Sequence, residues 1–455
     1  MKYLIIILGC IPTFHFGQII DIGSGFTIVR CANGDVYTCG DNQYGQLGSG
    51  AVGGNIFYFK STASLDSVIA VSGGGGHTLS VKSDGSLFSW GLNDAAQLGN
   101  GSISNESIPT LVDSIDPVVQ VSAGFYHSLV LTSDSSVWAF GDNSFGALGF
   151  PPPPYIAFRP KKIDTLKNVA KVSAGVDHST ALTRAGELWV WGQNQWGQLG
   201  IGSLNSMHKP QMIRNLKLVD VEADRYTTYG IDTSGFVWAW GRNKNGELGV
   251  ANNGNRYQNV PVQIPGISNA MAIAVGYGFA LVLLQNGKVM AWGKNNFHQL
   301  GDSTTVNRYS PGLVKNLDRI KIIAANDAVA FAIDSSGQIY SWGGSSSGSL
   351  ASGMDTLKPV PTPVPFSDCN PLISLAESAA KTLPRTEFYP NPTGGNVYWE
   401  SSTPIEEAVL LDLTGLPLKH FNRPTVLDIT GVPKGMYLLK VKTGDDWVVR
   451  KIWKQ

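Results

Sequence analysis

WGQNQWGQLG, residues 191–200, decides how the whole chain is read. Its Trp, Asn, Gln and glycines suit either a ligand site or a structural joint that a large fold makes repeatedly. Six further stretches of the same kind settle the choice: CGDNQYGQLG (39–48), WGLNDAAQLG (90–99), FGDNSFGALG (140–149), WGRNKNGELG (240–249), WGKNNFHQLG (292–301) and the decayed WGGSSSGSLA (342–351). Their second residue is always glycine, at 40, 91, 141, 192, 241, 293 and 343, so the period stays between 49 and 52 residues. Seven in-phase copies mean seven equivalent structural units. The stretch is a joint, with Gly for backbone strain, Leu as a core plug and Asn to satisfy loop amides. A phosphate cradle is excluded, because no GK[ST] follows and no helix pattern comes after it.

Each copy has the same approach, as in VSAGFYHSLVLTSDSSVWAFG (121–141). A glycine marks the tight turn in six copies, at 34, 85, 186, 235, 287 and 337, usually behind Asn, Asp or Ser. That pairing between two apolar runs predicts a two-residue β-hairpin. The strand after it is apolar on both faces, as in Val237-Trp238-Ala239-Trp240. Such a strand must be covered on both sides. A β-propeller supplies that cover, since each blade is sandwiched between two others. Motif and approach together resemble the regulator of chromosome condensation repeat over roughly residues 19–366. The resemblance implies a seven-bladed propeller.

The strands after the long loops begin near Pro109, Pro160, Pro210, Pro261 and Pro311. No equivalent precedes Gln18, so PTPVPF (361–366) is expected to complete the first blade from the other chain end. The ring would then be locked by a shared blade. Cys369 lies just beyond and is a candidate partner for Cys31. The pairing stays open, because sequence does not supply the Cα separation a disulfide needs.

Lys+Arg and Asp+Glu both number 34, which argues against nucleic acid or an anionic membrane as partner. The start, MKYLIIILGCIPTFHFGQ, reads as a secretory signal, and its apolar run is too short to span a bilayer. Ile7-Leu8-Gly9-Cys10 also looks like a lipoprotein box, but few apolar residues precede Cys10, and simple export is the preferred reading. The mature chain is expected to carry no integral membrane segment.

From about Leu383 the period stops. FYPNPTGG (388–395), VLLDLTG (409–415), LDITGVPKGMYLLKVKTG (427–444) and VVRKIWK (448–454) read as short strands of a small C-terminal β-sandwich. The segment resembles the type A C-terminal sorting domain of the type IX secretion system. The resemblance rests on Tyr389-Pro390-Asn391-Pro392, Asp412-Leu413-Thr414-Gly415, Lys434-Gly435-Met436-Tyr437 and the basic end Arg450–Lys454. It implies passage through the outer membrane by that machinery, engaged through residues 384–455. The expected organisation is therefore a signal peptide (1–17), a seven-bladed propeller (18–366), a linker (367–383) and the sorting domain (384–455), in an all-β chain.

His77, His127 and His178 share one repeat position, where other copies carry Phe26, Thr227, Phe279 and Val329. Equivalent positions diverge around a ring, so a structural role capping the turn through backbone bonds is expected rather than a metal site. No GxSxG, HExxH or EF-hand pattern occurs. No metal, cofactor or enzymatic activity is expected. Antiparallel strand order places the short turns after residues such as Gly124 on the same face as the long loops after GQLG. Phe125, Tyr126, Arg225, Tyr226 and Tyr277 come from the short turns, and Tyr58, Tyr155, Tyr257 and Tyr309 are assigned to the long loops. Tyr and Arg dominate contact energetics. The expectation is a monomeric, secreted or outer-surface propeller that binds a protein, or a surface glycan, through this face. A polymer-degrading hydrolase or lyase and a passive adhesive protein are the alternatives.

Overall fold

The computed structural model describes residues 19–63, 65–251, 255–353, 357–366, 368–369, 371, 387–389, 396–400, 406–411, 417–422, 424, 426–433, 435–443 and 446–454. The expected leader (1–17), with Cys10, lies outside these residues. So do most of the expected linker and the motif residues Pro390, Asn391 and Pro392. The chain divides into two compact units, Met1–Leu372 and Ile373–Gln455.

The first unit is a propeller of seven four-stranded antiparallel blades. The second blade is typical: Val68–Gly73, His77–Lys82, Leu87–Gly91 and Glu106–Val112 pair in that order from the inside outwards. In the fourth and fifth blades one long strand, Met207–Ala223, serves twice. Its first part pairs with Glu187–Gly192 and its last part with Thr227–Asp232.

WGQNQWGQLG is indeed a joint. The ring nitrogen of Trp191 donates to the Ala147 carbonyl of the preceding blade at 2.7 Å, and Trp240 donates to the Gln198 carbonyl at 2.9 Å. Trp90, Trp292 and Trp342 make the same bond to Gln46, Glu247 and Gln299. Within the loop, the Asn194 carboxamide accepts from Leu199 N at 2.9 Å and donates to the Ser203 and Asn205 carbonyls. The last glycine admits the next blade's tryptophan: Gly200 has φ +67°, and a Cβ there would lie 2.7 Å from the Trp240 ring nitrogen.

The histidines bond hydroxyls of the next blade, where backbone bonds capping a turn were expected; His127 makes such a backbone bond as well, to Val176. His77 Nε2 lies 3.0 Å from Ser128 Oγ, His127 Nε2 2.9 Å from Ser179 Oγ, and His178 Nε2 2.9 Å from Thr228 Oγ1. Each hydroxyl already donates its hydrogen to a loop carbonyl, of Gln97, Ala147 or Gln198. For His77 and His178, whose Nδ1 atoms have no partner among the described residues, the imidazole is therefore the donor at Nε2.

Two sequence expectations need correction. The tight turns are three-residue loops. Lys82 N donates to the Ser86 carbonyl and Gly85 N to the Lys82 carbonyl, with Gly85 at φ +86°. This is a type I turn followed by a left-handed residue, and the glycine serves as that residue. Ser135 takes the position in the third blade at φ +65°.

The ring also closes without a shared blade. Lys358–Pro363 pairs with Ile339–Gly343 as the outermost strand of blade seven. Blade one is contiguous, Ile20–Gly23, Phe26–Arg30, Val36–Asp41 and Asn55–Ser61. The strand after each long loop belongs to the blade just finished, so Asn55–Ser61 is the outer strand of blade one. Side chains close the seam instead. Thr27 Oγ1 donates to the Ser349 carbonyl at 2.8 Å, Asn326 Nδ2 to the Ile22 carbonyl at 2.6 Å, and Phe366 packs on Tyr37 and Phe59. The decayed seventh motif fits this seam: where other blades set Gly against Trp or, at Gly99, against Phe140, Ala351 and Cys39 share one buried cluster. A Cys31–Cys369 disulfide, with Cα atoms 5.4 Å apart, spans the same place. Cys39 is free and buried, and burial raises its thiol above the ordinary range.

In the second unit, a three-stranded sheet (Glu387–Tyr389, Asn396–Glu400, Leu427–Asp428) and a four-stranded sheet (Pro417–Asn422, Glu407–Leu411, Gly435–Thr443, Asp446–Lys454) are present. Val397, Leu427 and Ile429 from one side meet Ala408, Leu410, Leu439 and Val441 from the other, forming a β-sandwich core. Tyr437 is buried there, and its hydroxyl donates to the Pro433 carbonyl at 2.8 Å.

Candidate functional site

Antiparallel order puts the turn between first and second strands of every blade around one mouth of the central channel. The leading turn residues are Ser24, Gly75, Phe125, Val176, Arg225, Tyr277 and Asp327. Arg225 reaches across this ring. Its guanidinium bonds Asp327 Oδ1 at 3.0 Å and lies 4.5 Å from the Tyr277 ring and 5.6 Å from the Phe125 ring. Ser24 Oγ donates to the other Asp327 oxygen at 3.0 Å. Blades one, three, five, six and seven thus meet over the mouth through one arginine.

The cluster extends outwards. Arg242 stacks 5.3 Å from both Tyr226 and Tyr277, and its Nε is held by Glu247 at 2.9 Å. Trp196 packs on Tyr226, and Lys294 sits 4.6 Å above Tyr277. The Arg242 group beside its hydroxyl, with Lys294 and Arg225 nearby, holds Tyr277 below the usual tyrosine range. Such cation–aromatic contacts tie the side chains of the cluster to one another.

Beside this cluster is an open depression of about 510 Å³, walled by Phe125, Tyr126 and Phe145 and by Asp94, Asp142 and Asp177. Burial, reinforced by Asp142, raises Asp177 to about 6. Burial likewise raises Asp224, next to Arg225, to about 7.

The structure therefore brings Phe125, Tyr126, Arg225, Tyr226 and Tyr277 together. It does not bring in the other four tyrosines. Tyr58, Tyr257 and Tyr309 are on outermost strands, Asn55–Ser61, Tyr257–Gln263 and Arg308–Leu313, and not in the long loops. Tyr155 directly precedes the outer strand Ile156–Lys162. Tyr58 lies against Gly353, and Tyr309 against Gly246, each covering a loop of the preceding blade. Sequence reading missed Asp142, Arg242 and Lys294. They follow the WG or FG pair, and that position hydrogen-bonds the short turn, as Asp142 N does the Tyr126 carbonyl. Variation of that one repeat position, from Asp142 to Arg242 to Lys294, was the available signal. Among the described residues, no group of three His, Cys, Asp or Glu side chains could hold a metal.

Comparison with known proteins agrees with this architecture. The RCC1-like domain matches residues 58–380, and the regulator of chromosome condensation (RCC1) repeat matches 19–46 and 33–81. The chain belongs to the RCC1-like domain family. The secretion system C-terminal sorting domain matches residues 387–455. This RCC1-like propeller is accordingly a secreted or outer-surface protein with a type IX sorting tail.

Human E3 ubiquitin-protein ligase HERC2 is 28% identical over 351 residues, covering 75% of this chain. The chain spans only 6% of that ligase's length. The ultraviolet-B receptor UVR8 of Arabidopsis thaliana is 26% identical, covering 72% of this chain and 76% of the receptor. Among solved structures, Prp20p of Saccharomyces cerevisiae superimposes with a TM-score of 0.68 at 22% identity, covering 79% of this chain and 90% of Prp20p. That likeness is one of fold.

Proposed function

We propose that this protein is a non-enzymatic binding module, carried outside the cell by its sorting tail, that captures a protein partner on the channel-mouth face. The working part is residues 18–366, acting as a monomer, and residues 384–455 engage the secretion machinery. The observation that carries the reading is the Arg225 cluster. Phe125 and Tyr277 stack on the Arg225 guanidinium, Tyr126 packs edge-on against Phe125, and Tyr226 stacks with Arg242, all on turns carried by the blades. Preorganised Tyr and Arg side chains are the residues that dominate protein interfaces, because little ordering entropy is lost on contact. The relatives support a protein over a surface glycan: the Prp20p structure is described with its binding properties to Gsp1p and histones, and yeast RCC1 is seen bound to Kap60.

The test is capture on the immobilised protein from the extracellular fraction and cell surface. A specific protein should be retained by the native chain and lost on the double substitution Tyr126→Ala, Tyr226→Ala. Retention of the same partner by that variant, with its melting curve unchanged, rejects this face. Turnover of a polymer or glycan without a stable complex would favour the hydrolase reading.

A further inference from the structure

The depression beside the Arg225 cluster has an unbalanced charge. Asp94, Asp142 and Asp177 all face it, and among the described residues no cation pairs with any of them. One cation, Arg225, also lines the depression, but it is committed to Asp327 and stacked on Phe125 and Tyr277, which leaves three carboxylates facing a single, already paired guanidinium. Asp94 accepts a bond from Gln97 Nε2 at 3.3 Å, and Asp142 accepts from Ser144 N and from its hydroxyl at 2.6 Å. These are neutral donors and leave the negative charge in place. The walls between the carboxylates are aromatic: Tyr126 is 37% exposed and Phe145 43% exposed, both large rings open to an incoming group.

We propose that this depression receives an arginine side chain of a protein partner, its guanidinium paired with Asp142 and Asp177 and lying against Tyr126 and Phe145. The proposal rests on the reading of this face as the partner-binding surface and names the group recognised there. Three features select that occupant. Charge complementarity requires a cation. The absence of any metal-holding group among the described residues disfavours a bare ion. The combination of flat rings with carboxylates matches a planar guanidinium, which stacks and forks at once, better than the compact, strongly hydrated ammonium of lysine. The raised Asp177 carboxyl is consistent with a site short of one positive charge.

The probe is the peptide acetyl-Gly-Gly-Arg-Gly-Gly-amide, compared with the same peptide carrying citrulline, which keeps the shape and loses the charge. Titration of the full chain at low salt should show the arginine peptide binding about ten-fold or more tightly than the citrulline peptide. The double substitution Asp142→Asn, Asp177→Asn should erase that preference. In the native chain, which needs no variant to fold, saturation with the arginine peptide should move the Asp177 carboxyl titration downwards from about 6. Equal binding of the two peptides, binding of neither, or a preference that survives the double substitution overturns the proposal. Self-association that the same substitution abolishes also overturns it, by assigning the depression to a second copy. The two readings separate cleanly. A partner lost on Tyr226→Ala but kept by the Asp142→Asn, Asp177→Asn variant leaves the face standing and removes the arginine pocket. An arginine preference with no partner that depends on Tyr126 and Tyr226 does the reverse.

Discussion

Single positions in the repeat carry conflicting demands, and the motif is their solution. Gly192 has φ +99°, and a Cβ there would lie 2.5 Å from the Asp177 carbonyl. Gly192→Ala should therefore cost roughly 1–3 kcal/mol, read as a lower midpoint of denaturant unfolding. A loss below a few tenths would contradict the packing described. The buried histidines make a pH prediction. Burial holds His77, His127 and His178 at about 3, 4 and 3, against an ordinary value of 6.5. Below pH 6.5 the unfolded chain takes up protons that the folded chain refuses. Their contribution is thus intact above that pH and is lost on acidification, by up to about 1.4 kcal/mol per unit and per group. Asp21, Asp177 and Asp224, raised by burial to about 6, 6 and 7, act with the opposite sign over the same range. The histidine effect is isolated by comparing the native chain with His127→Gln: the stability gap between them should shrink as pH falls from 6.5 towards 4. A gap independent of pH would mean that His127 is not held neutral.

At the scale of the element, the hairpin shows what a sequence states and what it leaves out. Gly behind Asp, Asn or Ser announces a turn, and all seven turns occur where that signal or its equivalent stands. Its class depends on backbone bonds such as Gly85 N to the Lys82 carbonyl, which no residue type announces. Ser135 is the one non-glycine at the left-handed position, at φ +65°. Ser135→Gly should stabilise the third blade by about 1 kcal/mol, seen as a raised melting temperature. An unchanged or lowered melting temperature would contradict this loop geometry. The outer strand was hidden for a related reason. Prolines such as Pro109 and Pro311 mark an edge strand, but do not say to which blade the edge belongs. The same gap misplaced Tyr58, Tyr257 and Tyr309. Phe125, Tyr126, Arg225, Tyr226 and Tyr277 were readable together because strand direction alone puts their turns on one face. The carboxylates beside them were not, since their proximity follows from the sandwiching of blades.

For the whole molecule, the seam between blades one and seven is the interface built from different contacts. Elsewhere one blade presents Trp, or in blade three Phe140, to the Gly of another. At the seam Cys39 meets Ala351, and the Cys31–Cys369 bond spans 338 residues. The double substitution Cys31→Ser, Cys369→Ser should lower stability by roughly 2–4 kcal/mol. Limited proteolysis should then cut first in blades one and seven, where the native chain resists. An unchanged cleavage pattern would show that side-chain packing alone secures the seam.

Because every blade is spelled by one uninterrupted stretch, the torus has no privileged starting point. Fusing Phe366 to Ile19 through a short tether and opening the chain in the 113–117 connector would produce a circular permutant with all seven blades intact. In such a molecule the old termini become an ordinary crossover.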